Sequence, residues 1–225
     1  MTIKILTLFP KMFDALNESI TGRAVKAGLL NIEAIDIRDF SHDKHKKCDD
    51  IPFGGGAGMV MTPQPIYDAV EFADKNHCCY RIYMSPKGER LNTALAKKLC
   101  ADEKDLLILC GHYEGVDQRV LDMCFDAEIS IGDYILTGGE LAAMVLSDVC
   151  ARFIPGVLGS PVSAEDESFS DGLLEYPQYT RPYDFMGQTV PDVLLSGHHA
   201  NIDKWRREKS EEITRKLRPD LLDKK

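Results

Sequence analysis

The chain has 225 residues, 44% hydrophobic and 28% charged, an ordinary globular composition with room for one large domain or a medium and a small one. No run of about 18 apolar residues occurs, which excludes a transmembrane helix, and the apolar stretch 1–10 lacks the basic leader and cleavage site of a signal peptide. A net charge of −9 runs against the basic footprint of a nucleic-acid binder. The charge is uneven, however: residues 198–225 hold nine Lys/Arg and six Asp/Glu, a net of +3, and the rest of the chain carries −12. Taken alone, such a tail reads as a solvated helix face. The seven cysteines, odd in number and without a C-x-x-C pair, point to reduced thiols in a cytoplasmic protein and away from a zinc site.

In chain order, residues 3–9 (IKILTLF) form an apolar run of strand length. A helix is expected after Pro10, with Met12, Phe13, Leu16, Ile20 and Ala24 at helical spacing and Gly28 as its stop. Residues 31–37 alternate as a strand, and the polar, glycine-rich stretch 41–62 reads as loop. Then follow a helix over 65–75, a strand over 80–84, a helix over 91–101 and a strand over 106–110. A short helix over 116–124, a strand over 128–131 and a helix over 139–152 close the first part. This alternation predicts an α/β fold with a mainly parallel sheet covered on both faces. Residues 155–182, with four prolines and the acidic trio Glu165, Asp166 and Glu167, read as a lid or linker. Residues 198–222 read as a small helical domain.

The first strand–helix junction, Thr7 to Lys11, has no glycine, which disfavours a dinucleotide-binding turn. Glycines cluster instead after three later strands, in Ser85-Pro86-Lys87-Gly88, in Gly111-His112-Tyr113-Glu114-Gly115 and in the run from Gly132 to Glu140. Ligands of open α/β sheets bind outside the carboxyl ends of strands, and one pocket from three such loops is favoured over three unrelated tight turns. A fourth glycine loop, Phe53 to Met59, lacks the Lys-Ser/Thr of a phosphate loop and suits a mobile cover over a flat base.

The set FGGGAGMVM, SPKGERL, CGHYEGVDQRV, IGDYILTGGELAAM, ARFIPGVLG, SFSDGLLEYPQYTRP and VPDVLLSGHHANIDKWR closely resembles the bacterial tRNA (guanine-N1) methyltransferase family, the TrmD type, in order along nearly the whole chain. The resemblance implies a deep trefoil knot in the C-terminal part of the large domain, an exception to the unknotted rule. It implies S-adenosylmethionine bound in that knot and an obligate homodimer with each active site shared between subunits. The implied substrate is the tRNA guanosine at position 37, beside the anticodon and preceded by another guanosine. It divides the chain into a cofactor-binding domain over 1–158, a linker over 159–182 and a tRNA-binding helical domain over 183–225. Carried over by motif, cofactor contacts fall on Met84, Ser85, Pro86, Gly88, Gly111, Tyr113, Glu114, Ile131, Gly132, Asp133, Tyr134, Ile135, Leu136, Gly138 and Gly139. Contacts to tRNA and the target base fall on Gly54, Gly55, Gly56, Gly58 and Met59. The basic helix adds Lys204, Arg206 and Arg207, which can meet phosphates.

The family's catalytic arginine falls on Arg152. Its general base is an aspartate directly before Ser-Phe, where this chain has Glu167, with Asp166 one residue earlier; both remain candidates, by register and by residue type respectively. Either carboxylate suits the chemistry, because guanine N1 must lose a proton before it attacks and a positioned base is worth about 10²–10⁴-fold. A guanidinium can stabilise the charge that builds toward O6. A magnesium ion belongs to the family's chemistry, but no carboxylate set in the sequence marks its site. Two rivals stand beside this reading. A non-catalytic RNA-binding protein would not need the cofactor loops, and a nucleotide-binding metabolic enzyme would leave the basic tail unexplained. Another knotted RNA methyltransferase is the nearest alternative within the same class.

Overall fold

The computed structural model describes residues 1–101, 104–159, 168, 169 and 171–222. Strand β1 (Thr2–Thr7) belongs to a parallel five-stranded sheet with β2 (Asn31–Asp36), β5 (Tyr80–Arg90), β6 (Leu106–Cys110) and β7 (Ala127–Ser130), and β6 lies at its middle. The order across it is β2-β1-β6-β5-β7. Side chains alternate between its faces, as the two-residue period of a strand requires. Ile3, Ile5, Ile82, Met84, Leu106, Ile108 and Cys110 join one apolar cluster, and Leu6, Tyr83, Leu107 and Leu109 join the other. Residues of α1 (Ser19–Lys26), α3 (Thr93–Ala101) and α5 (Glu140–Ala151) complete the first cluster; α2 (Pro63–Asp74) and α4 (Gln118–Cys124) complete the second. Both faces are therefore covered, which explains why β6 is apolar throughout instead of alternating.

Several elements differ from the sequence reading. The segment after Pro10 begins as a 3-10 helix, Pro10–Asn17, before α1. Gly28, at φ +71°, ends α1 as the left-handed residue of a helix stop. The stretch 41–62 carries a two-residue antiparallel ladder, β3 (Asp49–Asp50) with β4 (Val60–Met61). Strand β5 does not stop at Met84: Met84 and Glu89 both pair with Ile129, so residues 85–88 loop out and the strand resumes to Arg90. Only pairing across the sheet reveals that continuation, because local chemistry at Ser85-Pro86-Lys87-Gly88 reads as a turn.

By its contacts the chain divides into two compact units, Met1–Gly159 and Ser160–Lys225. The second contains a small hairpin, β8 (Asp184–Phe185) with β9 (Gln188–Thr189), and the helix α6 (His199–Leu217). Thr214 of α6 is fully buried, and its hydroxyl donates to the Ser210 carbonyl and accepts from the Leu174 amide at 2.8 Å.

The start of β5 is set by a buried ion pair. Arg81 Nε donates to Asp74 Oδ2 at 2.8 Å with both side chains at most 5% exposed, and Asp74 also accepts from the Cys78 and Cys79 amides. Burial pushes the Asp74 carboxyl up, but the Arg81 bond and the two amides outweigh it and hold it below the usual range. A lowered folded-state value contributes stability that is present above the unfolded pKa, about 3.9, and is lost as pH falls through the folded value. Asp74→Ala is expected to cost about 3–5 kcal/mol by leaving Arg81 uncompensated. It should also remove part of the acid dependence of stability below about pH 4. Urea unfolding at neutral and acid pH checks both; a midpoint that does not move would remove this pair from the account.

Candidate cofactor and active site

Because the sheet is parallel, β6 and β7 end on the side where β5 loops out at residues 85–88, and these three loops surround one cavity of about 440 Å³. That is the size of a small-ligand site. Of the fifteen residues expected to contact cofactor, Met84, Ser85, Pro86, Gly111, Tyr113, Glu114, Ile131, Gly132, Tyr134, Ile135, Leu136, Gly138 and Gly139 line this cavity. Two do not. Gly88 sits where a Cβ would come within 2.3 Å of the Glu128 backbone, so its role is to let β5 resume against β7. Asp133 has a 90% exposed side chain and stands 4.0 Å from Arg90.

The loops are tied to one another through backbone and one buried carboxylate. Gly139 N–H donates to the Gly111 carbonyl at 2.8 Å, and His112 bridges Gly138. At the head of α5, Glu140 is 1% exposed. Its Oε1 accepts from the Thr7 hydroxyl at 2.8 Å and its Oε2 meets His112 Nε2 at 2.8 Å. A Cβ on Gly138 would lie 2.2 Å from His112 Nε2, and one on Gly139 would lie 2.8 Å from Cys110 Cα. These glycines are therefore required first by the passage of one chain segment over another. At Gly111 a Cβ would instead meet the Tyr83 hydroxyl at 2.8 Å. Tyr113, beside it, holds φ +59° without being glycine, a strained conformation of the kind found at ligand sites.

Sequence reasoning missed Thr7, Glu140, Tyr83 and Glu128. An acidic residue in the first turn of a helix is ordinarily a solvated dipole partner; only the closure of the β1, β6 and β7 loops shows Glu140 to be enclosed. Burial, then the Glu128 charge, pushes the Tyr83 phenol up to about 12. Burial, with the Glu140 charge behind it, pushes the Cys110 thiol well above its ordinary range.

The glycine cover lies at the rim. Gly54, Gly55, Gly56 and Gly58 all have positive φ, between +78° and +128°, which suits only glycine well. The loop is docked by backbone: Glu114 N–H donates to the Met59 carbonyl and Met61 N–H to the Gly115 carbonyl, each at 2.9 Å. Arg152 is half-buried at the C-cap of α5 and is not among the cavity residues. The helix rises about 1.5 Å per residue, so Arg152 stands on the order of 20 Å from the Gly139 end. In the second unit, Lys204 pairs with Glu208 at 3.9 Å and Arg207 with Asp171 and Glu211 at 2.8 and 2.9 Å. Arg206 lies over the Tyr176 ring at 4.8 Å. Glu167 and Asp166 fall outside the described residues.

Comparison with known proteins places the chain. The family model described as tRNA (guanine-1)-methyltransferase TrmD matches residues 1–224. The chain belongs to that family. A protein of Lachnospira eligens (strain ATCC 27750) named tRNA (guanine-N(1)-)-methyltransferase is 58% identical over 226 residues, covering 99% of this chain and 95% of its own length. Proteins with the same name are 54% identical in Clostridium perfringens (strain SM101), over 100% of this chain and 94% of theirs, and 56% identical in Alkaliphilus oremlandii, over 99% and 92%. Membership in the family carries its mixed α/β architecture with it, and the parallel sheet described above agrees.

Removing the Glu140 carboxylate strands the Thr7 hydroxyl and the His112 ring. Glu140→Ala is expected to lose about 1–3 kcal/mol of stability, and Glu140→Gln, which keeps two polar atoms in place, to lose less. Denaturant midpoints decide it; an unchanged midpoint for the alanine variant would mean that this carboxylate does not hold the loops.

Proposed function

We propose that this chain transfers a methyl group from S-adenosylmethionine to N1 of the guanosine at position 37 of tRNA. The observation that carries the reading is the convergence of the β5, β6 and β7 loops on one cavity within a chain of this family. The lining fits a nucleoside with a cationic side chain. Gly111, Gly138 and Gly139 line the wall without a side chain that would stand in the way of a flat base, and among the lining residues two carboxylates, Glu114 and Glu128, stand against one lysine, Lys87. A polyphosphate would meet the wrong charge there. When bound, S-adenosylmethionine supplies the methyl group and, as a sulfonium, its own leaving group.

The protein's part is to hold and deprotonate the base. The Gly54 to Met59 cover brings backbone close to the target guanine, the carboxylate of Glu167 or Asp166 takes the N1 proton, and Arg152 stabilises the charge at O6. Arg152 stands a helix length from its own cofactor cavity, which supports a homodimer in which each site draws on both subunits. Exposed apolar residues point the same way: Leu141 and Val145, one turn apart on α5, are 47% and 42% exposed, and Tyr134 and Ile135 are 55% and 80% exposed. The passage of residues 131–139 over the end of β6, tight enough to demand Gly139, supports the family's trefoil knot. The basic helix binds tRNA phosphates by exchanging the surface pairs of Lys204, Arg206 and Arg207, which are weak in water; binding should therefore fall steeply with salt. Free thiols at all seven cysteines fit a cytoplasmic setting. For magnesium, no group of three or more His, Cys, Asp or Glu gathers among the described residues, and no step runs through it.

Methyl-labelled cofactor and tRNA transcripts with guanosine or adenosine at position 37 test the reading. Label is expected as N1-methylguanine in the first transcript alone, and single-turnover rates should fall by about 10²–10⁴ in whichever of Glu167→Gln and Asp166→Asn removes the base. Labelling of both transcripts, or of neither, would overturn the assignment.

A further inference from the structure

Glu128 lies beside Tyr83 in the β5–β7 register and lines the cavity. Its Oε2 is buried and has no hydrogen-bond partner among the described residues. A carboxylate oxygen taken out of water without a partner is costly, and the other charges on the lining do not relieve it: Glu114 is of the same sign, Lys87 is exposed on the 85–88 loop, and His112 Nε2 is taken by Glu140. The surroundings are apolar and aromatic. Tyr83, the cross-strand neighbour of Glu128, shares one core cluster with Leu121 and Val116, and all three line the cavity. A primary ammonium brings three N–H donors that need acceptors. A sulfonium brings charge and no donors, and suits an aromatic, apolar wall with a single counter-charge.

Resting on the reading that the cavity takes S-adenosylmethionine, we propose that the Glu128 carboxylate is the counter-charge of the sulfonium, and that through it the pocket separates donor from product. On transfer, the carbon–sulfur bond breaks, its electron pair stays on sulfur, and the methyl joins guanine N1 as N1 gives its proton to the base. The sulfonium becomes a neutral thioether, S-adenosylhomocysteine, and Glu128 loses its partner. Attraction for the donor turns into an unpaired buried carboxylate against the product, which favours exchange of product for fresh donor.

The test is calorimetric titration of both ligands into the full-length protein, wild type, Glu128→Gln and Glu128→Asp, with a thermal melt of each. Glutamine is isosteric and relieves an unpaired carboxylate, so the variant is expected to fold with undiminished stability. The wild type should prefer S-adenosylmethionine. In Glu128→Gln its affinity should drop about tenfold while that for S-adenosylhomocysteine stays within about threefold. Glu128→Asp, which keeps the charge, should retain most of the preference. Equal weakening of both ligands, or an unchanged ratio, overturns the inference while leaving the cofactor reading intact. An aspartate variant that behaves like glutamine also overturns it, because shape would then be the cause. A wild type that binds neither ligand overturns the cofactor reading itself.

Discussion

Glu140 is 1% exposed and both of its carboxylate oxygens are engaged, one by Thr7 at the end of β1 and one by His112 just after β6. A buried carboxylate in a low-dielectric interior has few acceptable arrangements, so this one joins three parts of the chain that lie far apart in sequence. It fixes the head of α5 against the ends of β1 and β6, and with it the run from Ile131 to Gly139 that forms one wall of the cavity. The glycines follow from that constraint. With the helix held this close, Gly138 faces the His112 ring and Gly139 faces the Cys110–Gly111 backbone at distances where no Cβ fits.

The charge balance of the chain makes sense at two scales. A net of −9 looked adverse for a tRNA enzyme, yet the family matches from residue 1 to residue 224. Acidic residues serve local purposes: Asp74 neutralises Arg81 in the core, Glu140 ties loops, and Glu114 and Glu128 give the cavity a negative lining. Cations in α6 are concentrated on one helix and held by exchangeable surface pairs. Net charge speaks to solubility and long-range steering; it is a poor guide to what a particular face binds.

Much of the fold was legible in the sequence because β strands buried on both faces and amphipathic helices leave strong periodic marks, and the glycine loops after β5, β6 and β7 announced a common site. What was not legible was long-range. The resumption of β5 after Gly88 depends on pairing with β7, and nothing local distinguishes it from a turn. Gly88 and Asp133, expected at the cofactor, do not line the cavity: one lies against the Glu128 backbone and the other faces solvent. Thr7 and Glu140 lie 133 positions apart, so their hydrogen bond has no sequence signature. Glu128 reads as a routine polar residue in an alternating strand until its unpartnered oxygen is seen inside the cavity.

The central claim is that three loops held by Glu140 act as one binding wall for S-adenosylmethionine, and hydrogen–deuterium exchange of the full-length protein with and without that ligand tests it most directly. Amides of residues 84–88, 111–115 and 131–139 are expected to gain protection together at the same ligand concentration. Protection that skips any one of the three segments, or that appears only in α6, would contradict the account.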